Sequence, residues 1–191
     1  MRKVYPAIGL LLVLLILWVT NVEAQQSSSL KKEPKTKLES FQAQTGTVII
    51  KGYSDIGRIS ALGSIEVTAM EFTDASTGKK QKGIVIEIKE SGRFENSDRS
   101  FIDYDEIESL LKGIAYISKA TTDVTSLSFF EATYKTKGNF KVTTFNSRTG
   151  KISAAVSSGY IRPASAFISL QQLSELRRII AQAKQKLDSL K

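Results

Sequence analysis

The sequence predicts an α+β protein made of two tandem ββββα units, each an antiparallel sheet followed by one amphipathic helix. Three observations carry this. Runs rich in β-branched residues recur between residues 47 and 157 with the period of two that a half-buried strand requires. Two segments, opening at Asp103 and Ser169, instead place apolar residues every three or four positions, the stripe of a helix lying on a core. The two strand-to-helix junctions also superpose at an offset of 66 residues. Phe101-Ile102 matches Phe167-Ile168, Asp103 matches Ser169, Glu106 matches Gln172, and Ile107, Leu110 and Ile114 match Leu173, Leu176 and Ile180. One supersecondary unit used twice explains the match.

Arg2 and Lys3 precede an unbroken apolar run from Ala7 to Val19, and Val22-Glu23-Ala24 places small residues at a cleavage position. This predicts an export signal over 1–24, cleaved after Ala24, and a periplasmic or extracellular destination. The run is shorter than the roughly 20 residues that span a bilayer, so the membrane is met only if the signal is retained as an anchor. Residues 25–40 are polar, lysine-rich and broken by Pro34, which predicts a flexible tether. A single globular domain is then expected over 41–191, with repeats at about 41–120 and 121–191.

In the first repeat, 47–53, 64–73 and 83–89 read as strands, and Asp, Ser and Gly between the last two mark a hairpin. A short strand at 100–102 leads into a helix whose stripe is Ile107, Leu110, Leu111, Ile114 and Ile117. Asp103 is expected to cap that helix while Glu106 reaches back to the cap. Gly113 interrupts the stripe and suggests that the helix lies close on a sheet. The second repeat reads as strands over 128–136, 139–146 and 151–157, then Ala166-Phe167-Ile168. Ser169-x-x-Gln172 opens a helix bearing Leu173, Leu176, Ile179, Ile180, Ala183 and Leu187. The turns Thr77-Gly78-Lys79 and Thr149-Gly150-Lys151 correspond, the first repeat carrying the longer connection. Because one helix covers a sheet face only in part, the two units are expected to pair.

The stretches SFIDYDEIESLLKGIAYISK and FEATYKTKGNFKVTTF resemble those of a group of exported bacterial proteins of no assigned activity. That resemblance implies export and brings no catalytic motif. The tandem ββββα plan also resembles, in topology only, the PUR and Whirly binders of single-stranded nucleic acid.

Composition narrows the chemistry. The chain has no His and no Cys, so the usual base near neutral pH and the usual ligands of zinc, copper and haem are missing. No cofactor or metal is expected, and a disulfide is impossible. Cysteine-free export fits a bacterial envelope protein. The only Trp is Trp18, inside the signal. The net charge of +8 is uneven: 41–120 holds ten basic and twelve acidic residues, 121–191 eleven and four.

Asp103, Asp105, Glu106 and Glu108 form the densest acidic cluster, but their spacing fits no EF-hand loop, and acidic residues favour a helix start. Ser109-Leu110-Leu111-Lys112 has the Ser-x-x-Lys spacing of penicillin-recognising enzymes without the companion motifs. Lys79, Lys80 and Lys82 crowd one hairpin; Lys135, Lys137, Lys141, Arg148 and Lys151 lie along the second sheet with Tyr134, Phe140 and Phe145 between them. Such interleaving suits stacking against single-stranded nucleic acid, but Tyr134 shares a face with Ala132 and Phe130 while Lys135 and Lys137 share the other. The aromatic rings are therefore expected to face the core and the lysines water. Arg177, Arg178 and Lys184, with Lys186, form a basic helix face toward solvent, anionic lipid or a cell-wall polymer.

These features predict an exported, non-enzymatic binding protein of the bacterial envelope. Its partners would be a second copy, an envelope protein or an anionic polymer, with nucleic acid disfavoured. The interaction surface would draw on Lys135, Lys137, Lys141, Arg148, Lys151, Arg177, Arg178 and Lys184. The alternative is a periplasmic carrier of a lipid or small apolar ligand, held between sheets and helices; a hydrolase would need its carboxylates or Ser109 and Lys112 together in a cleft.

Overall fold

A computed structural model describes residues 33–92 and 96–190, so the expected export signal and residues 25–32 of the expected tether lie outside the described residues. The strands β1 (Ile49–Ala61), β2 (Gly63–Asp74), β3 (Lys80–Lys89) and β4 (Ser97–Asp103) form one antiparallel sheet in sequential order. The strands β5 (Glu131–Lys135), β6 (Lys141–Asn146), β7 (Ile152–Ser158) and β8 (Ala164–Ile168) form the second. Each sheet is followed by a helix, α2 (Tyr104–Ile117) and α3 (Leu170–Asp188), so the fold is α+β with two tandem ββββα units. The repeat extends to register: Ile84 faces Ile102 across the first sheet as Ala154 faces Ile168 across the second. It extends to the turns as well. Gly78 and Gly150 sit at φ +68° and +79°, a left-handed backbone that a side chain strains, which is why Gly recurs there.

Several sequence-based boundaries shift, those of β1 and β5 for identifiable reasons. β1 runs eight residues beyond the expected end at 53, through a bulge between Asp55 and Gly57 that the pattern of residue types hides. In the second unit the first strand starts at Glu131, because Phe130 N–H is taken by the Asn146 side chain at 2.8 Å instead of a ladder partner.

One apolar core joins both units, and each helix reaches across it to the other unit's sheet. Helix α3, from the second unit, lies mainly on β1 and β2 of the first, with Ile179 against Gly57 and Lys82 Nζ donating to the Leu187 carbonyl at 2.8 Å. Helix α2, from the first unit, reaches β5, where Gly113 meets the Tyr134 ring and leaves no room for a Cβ. That close approach is the reason for Gly113. The two sheets also meet directly, through a buried pair of hydroxyls on Ser100 and Ser158 at 2.7 Å. Helix α2 lies between its own β3 and β4 and the second unit's β5 and β6, and with α3 on the first sheet the shared core makes the units one domain.

The start of the domain differs from expectation. Residues Lys37–Gln42 form a short helix, α1, opened by a capping box in which Thr36 and Glu39 satisfy each other's backbone N–H groups. Leu38 is fully buried over Gly83, on the outer face of the first sheet beside Phe72. The folded domain therefore begins at Thr36 and not near Phe41, and residues 36–40 belong to it.

The expected cap at Asp103 is corrected too. Asp103 holds the N-cap position of α2 but makes no side-chain bond to that helix. Its carboxylate instead accepts the Lys37 N–H at 2.8 Å and the Leu38 N–H at 3.0 Å, so it caps α1 from 65 residues away. Glu106 does not reach back either; it accepts the Lys137 N–H at 2.9 Å.

Candidate functional site: the outer face of the second sheet

Strand alternation divides the second sheet into two faces. Ala132, Tyr134, Val142, Ala154, Val156, Ala166 and Ile168 point inward and meet the helices and the first sheet. Outward point Glu131, Thr133 and Lys135 on β5, Lys141, Thr143 and Phe145 on β6, Ser153, Ala155 and Ser157 on β7, and Ser165 and Phe167 on β8. The first sheet carries α1 on its corresponding face, whereas Phe167 is 62% exposed and Thr133 and Lys135 are exposed on the second.

Cross-strand register places the side chains of that face. Thr133 faces Thr143 across β5 and β6 with their hydroxyls 2.8 Å apart, and Ala155 faces Phe167 across β7 and β8. The Phe145 and Phe167 rings meet edge to face over the small residues of β7, centroids 6.3 Å apart at 82°. This is the favoured geometry of an aromatic pair. Lys135 faces Lys141 at one end of the strip, and Arg148 and Lys151 are exposed in the β6–β7 turn at the other. A rigid strip thus runs from two cations past two hydroxyls and two rings to two more cations, with Glu131 its one acidic member.

Phe145 corrects the expectation that the aromatic residues of this sheet face the core. Tyr134 and Phe140 do face it, but Phe145 faces water. The inward positions of β6 go to Val142, Thr144 and Asn146, because each polar group finds a backbone partner: Thr144 donates to the Ile117 carbonyl at 2.9 Å, and Asn146 bonds Phe130 N–H and the Ser128 carbonyl. Phe167 was missed as a surface residue, although the pattern of Ala166 and Ile168 on either side places it opposite them.

The eight basic candidates do not form one surface. Lys135, Lys141, Arg148 and Lys151 belong to the strip. Lys137 sits in the β5–β6 turn, its N–H held by Glu106 and its carbonyl by the Tyr160 hydroxyl at 3.0 Å. The other three are on α3 and already partnered: Arg177 Nε bonds the Leu111 carbonyl at 3.3 Å, Arg178 Nε bonds Glu175 at 2.8 Å, and Lys184 bonds Asp188 at 3.0 Å.

The acidic cluster is dispersed among separate partners. Asp103 holds α1, Asp105 pairs with Lys37 at 2.7 Å, and Glu106 holds Lys137. Glu106 Oε2 is buried without a hydrogen bond, and burial, partly offset by the Lys137 N–H, raises the carboxyl above its ordinary value. Tyr160, against the same turn, is pushed up to about 12 by burial and then by the nearby charges of Glu39, Asp98 and Glu106. Ser109 donates its proton to the Glu106 carbonyl at 2.8 Å and accepts from the Tyr134 hydroxyl at 3.1 Å, so its hydroxyl serves helix packing.

Four surface grooves have volumes of about 260, 420, 480 and 720 Å³. The first lies between β1, β2 and the end of α3, lined by Gly52, Ala69, Leu187 and Leu190; the others lie along β1 and β2, at the β1–β2 turn and at the start of α3. Among the described residues no helix is long and apolar enough to cross a membrane. No protein-family model matches the chain, and no curated protein or solved structure matches it.

Proposed function

We propose that the chain is a non-enzymatic binding protein of the bacterial envelope that holds an anionic polysaccharide along the outer face of its second sheet. The outward Phe145–Phe167 pair between two basic ends, Phe167 exposed and Phe145 half-buried, carries this reading. Outward rings on a floor of Ser, Thr and Ala offer an apolar platform for a sugar ring, and flanking ammonium and guanidinium groups suit carboxylates or phosphates at either side. Single-stranded nucleic acid makes the same chemical demand; the predicted export signal favours a glycan. A carrier would draw on an apolar pocket between sheets and helices; the groove there, between Gly52, Ala69, Leu187 and Leu190, has about 260 Å³, less than the roughly 300–1,000 Å³ of a typical small-ligand site, which favours the binding reading.

Calorimetric titration of the purified chain with a polyuronate, neutral dextran and a single-stranded oligonucleotide tests the proposal. The polyuronate should bind, more weakly as salt screens the charges, and dextran should not. No polyuronate binding at low salt, or tighter binding of the oligonucleotide, would overturn it.

A further inference from the structure

The first sheet ends in an unusual edge. β1 is its outermost strand, 13 residues long, and among the described residues pairs only with β2. Sheet edges are ordinarily kept from pairing by bulges, proline, charge or a covering element. Here the bulge comes late, between Asp55 and Gly57. Helix α3 follows the inner face of the strand, with Ile179 against Gly57 and its end, Leu187 and Leu190, beside Gly52 and Ser54, while the outward residues Lys51, Tyr53 and Asp55 stay exposed. The run before the bulge keeps apolar side chains open to water, Ile50 at 55% and Tyr53 at 70% exposure, with Val48 just ahead of it at 67%. In the second unit the equivalent edge strand, β5, has five residues and alternates Glu131, Thr133 and Lys135 outward, so the exposed apolar edge is particular to the first unit.

We propose that residues 51–55 pair antiparallel with the same residues of a second copy, two-fold about Tyr53, joining two four-stranded sheets into one of eight. The charge pattern selects both occupant and register. Lys51, Tyr53 and Asp55 all lie on the outer face, opposite Phe72, Met70 and Thr68 of β2. Pairing about Tyr53 sets Lys51 against the partner's Asp55 twice over and the two Tyr53 rings against each other; moving the two-fold to Gly52, a slip of two residues, sets Lys51 against the partner's Tyr53 and loses both ion pairs. Among the described residues neither Lys51 nor Asp55 has an ion-pair partner within its own chain: the Lys51 ammonium lies 5.6 Å from the Phe72 ring centre, and Asp55 accepts only the Thr68 hydroxyl at 3.1 Å. A self-complementary patch is what a two-fold dimer requires, and addition of a strand to an open edge is a common mode of recognition.

Sedimentation velocity of the purified chain should show a monomer–dimer equilibrium. Lys51→Glu or Asp55→Lys alone should raise the dissociation constant about tenfold or more, because each sets like charges opposite one another twice, and the double swap should restore dimerisation. Since the chain has no Cys, Tyr53→Cys gives a second readout. Opposed residues of an antiparallel pair have Cα atoms about 4.5–5.5 Å apart, within disulfide reach, so mild oxidation should link two chains at that position and not in Tyr116→Cys on α2. A monomer up to about millimolar concentration, single reversals that dimerise as well as the parent, or equal cross-linking at Tyr116→Cys would each overturn the proposal. If a charge variant fails to fold, the parent chain and the cysteine variants still decide. The polymer-binding reading rests on the other sheet and survives any of these outcomes.

Discussion

Asp103 Oδ1 accepts the backbone N–H of Leu38 at 3.0 Å, and through that bond the end of the first sheet holds the N-terminal helix in place. Asp103 is 1% exposed, and its other oxygen takes the Lys37 N–H at 2.8 Å. Asp103→Ala leaves two amides at the start of α1 without their acceptor and should cost about 1–3 kcal/mol. Urea unfolding measures the loss. Hydrogen exchange at Leu38 should accelerate in the same variant, since α1 is the element released; unchanged exchange there would show that α1 is held mainly by Leu38 packing.

Gly113 sets two effects against each other. Ala favours a helix interior by about 1 kcal/mol over Gly, yet here its Cβ would enter the Tyr134 ring. Overpacking of that kind costs about 1–3 kcal/mol. Gly113→Ala should therefore destabilise, and adding Tyr134→Leu should recover part of the loss in a double-mutant cycle. A stabilising Gly113→Ala would show that the ring yields freely.

Glu106 titrates above its ordinary value of 4.5 because it is partly buried. The folded chain therefore binds this proton more tightly than the unfolded one. The stability linked to it is present below the ordinary value and is lost as pH rises through the raised one. Glu106→Gln keeps an acceptor for the Lys137 N–H and cannot charge, so its stability relative to the parent should improve from about pH 4 to about pH 7. Chemical unfolding at both pH values checks this; a pH-independent difference would mean that Glu106 is solvated when charged.

Phe167 is exposed, so Phe167→Ala should change stability by less than about 0.5 kcal/mol. Polyuronate affinity should fall about fivefold to tenfold, the worth of roughly 1 kcal/mol for one ring contact. Lys135→Glu together with Lys141→Glu should weaken binding further and flatten its salt dependence. Affinity equal to the parent's in both variants would move the contact surface elsewhere.

Much of this architecture is legible in residue order because it rests on local periods. The stripe from Ile107 to Ile117 and that from Leu173 to Leu187 specify helices wherever they dock, and both stripes are buried as expected. Ser169 and Gln172 close a capping box within three residues of each other. The repeated junctions, and the glycines at 78 and 150, announce that one unit occurs twice.

The candidate site is less legible, since a strand has two faces and composition does not say which one is buried. Phe145 looks like core; it is surface because Thr144 and Asn146 find backbone partners inside. Leu38 looks like part of a tether; it is core because Gly83 leaves a slot for it. Asp103 looks like a local cap, but its acceptor oxygens go to amides of a helix far away in the chain.

The sequence by itself determined the eight strands and the two long helices, their order, the repeat and the absence of His and Cys chemistry, all of which depend on residues near one another in the chain or on simple counts. Only the tertiary structure decided that α3 crosses onto the first sheet while α2 bridges both, that α1 covers one outer face, and that the other outer face turns Phe145 and Phe167 outward. Those outcomes depend on which surfaces meet after the chain has folded back on itself. Each is settled by whether a buried polar group finds a partner and whether a side chain finds room.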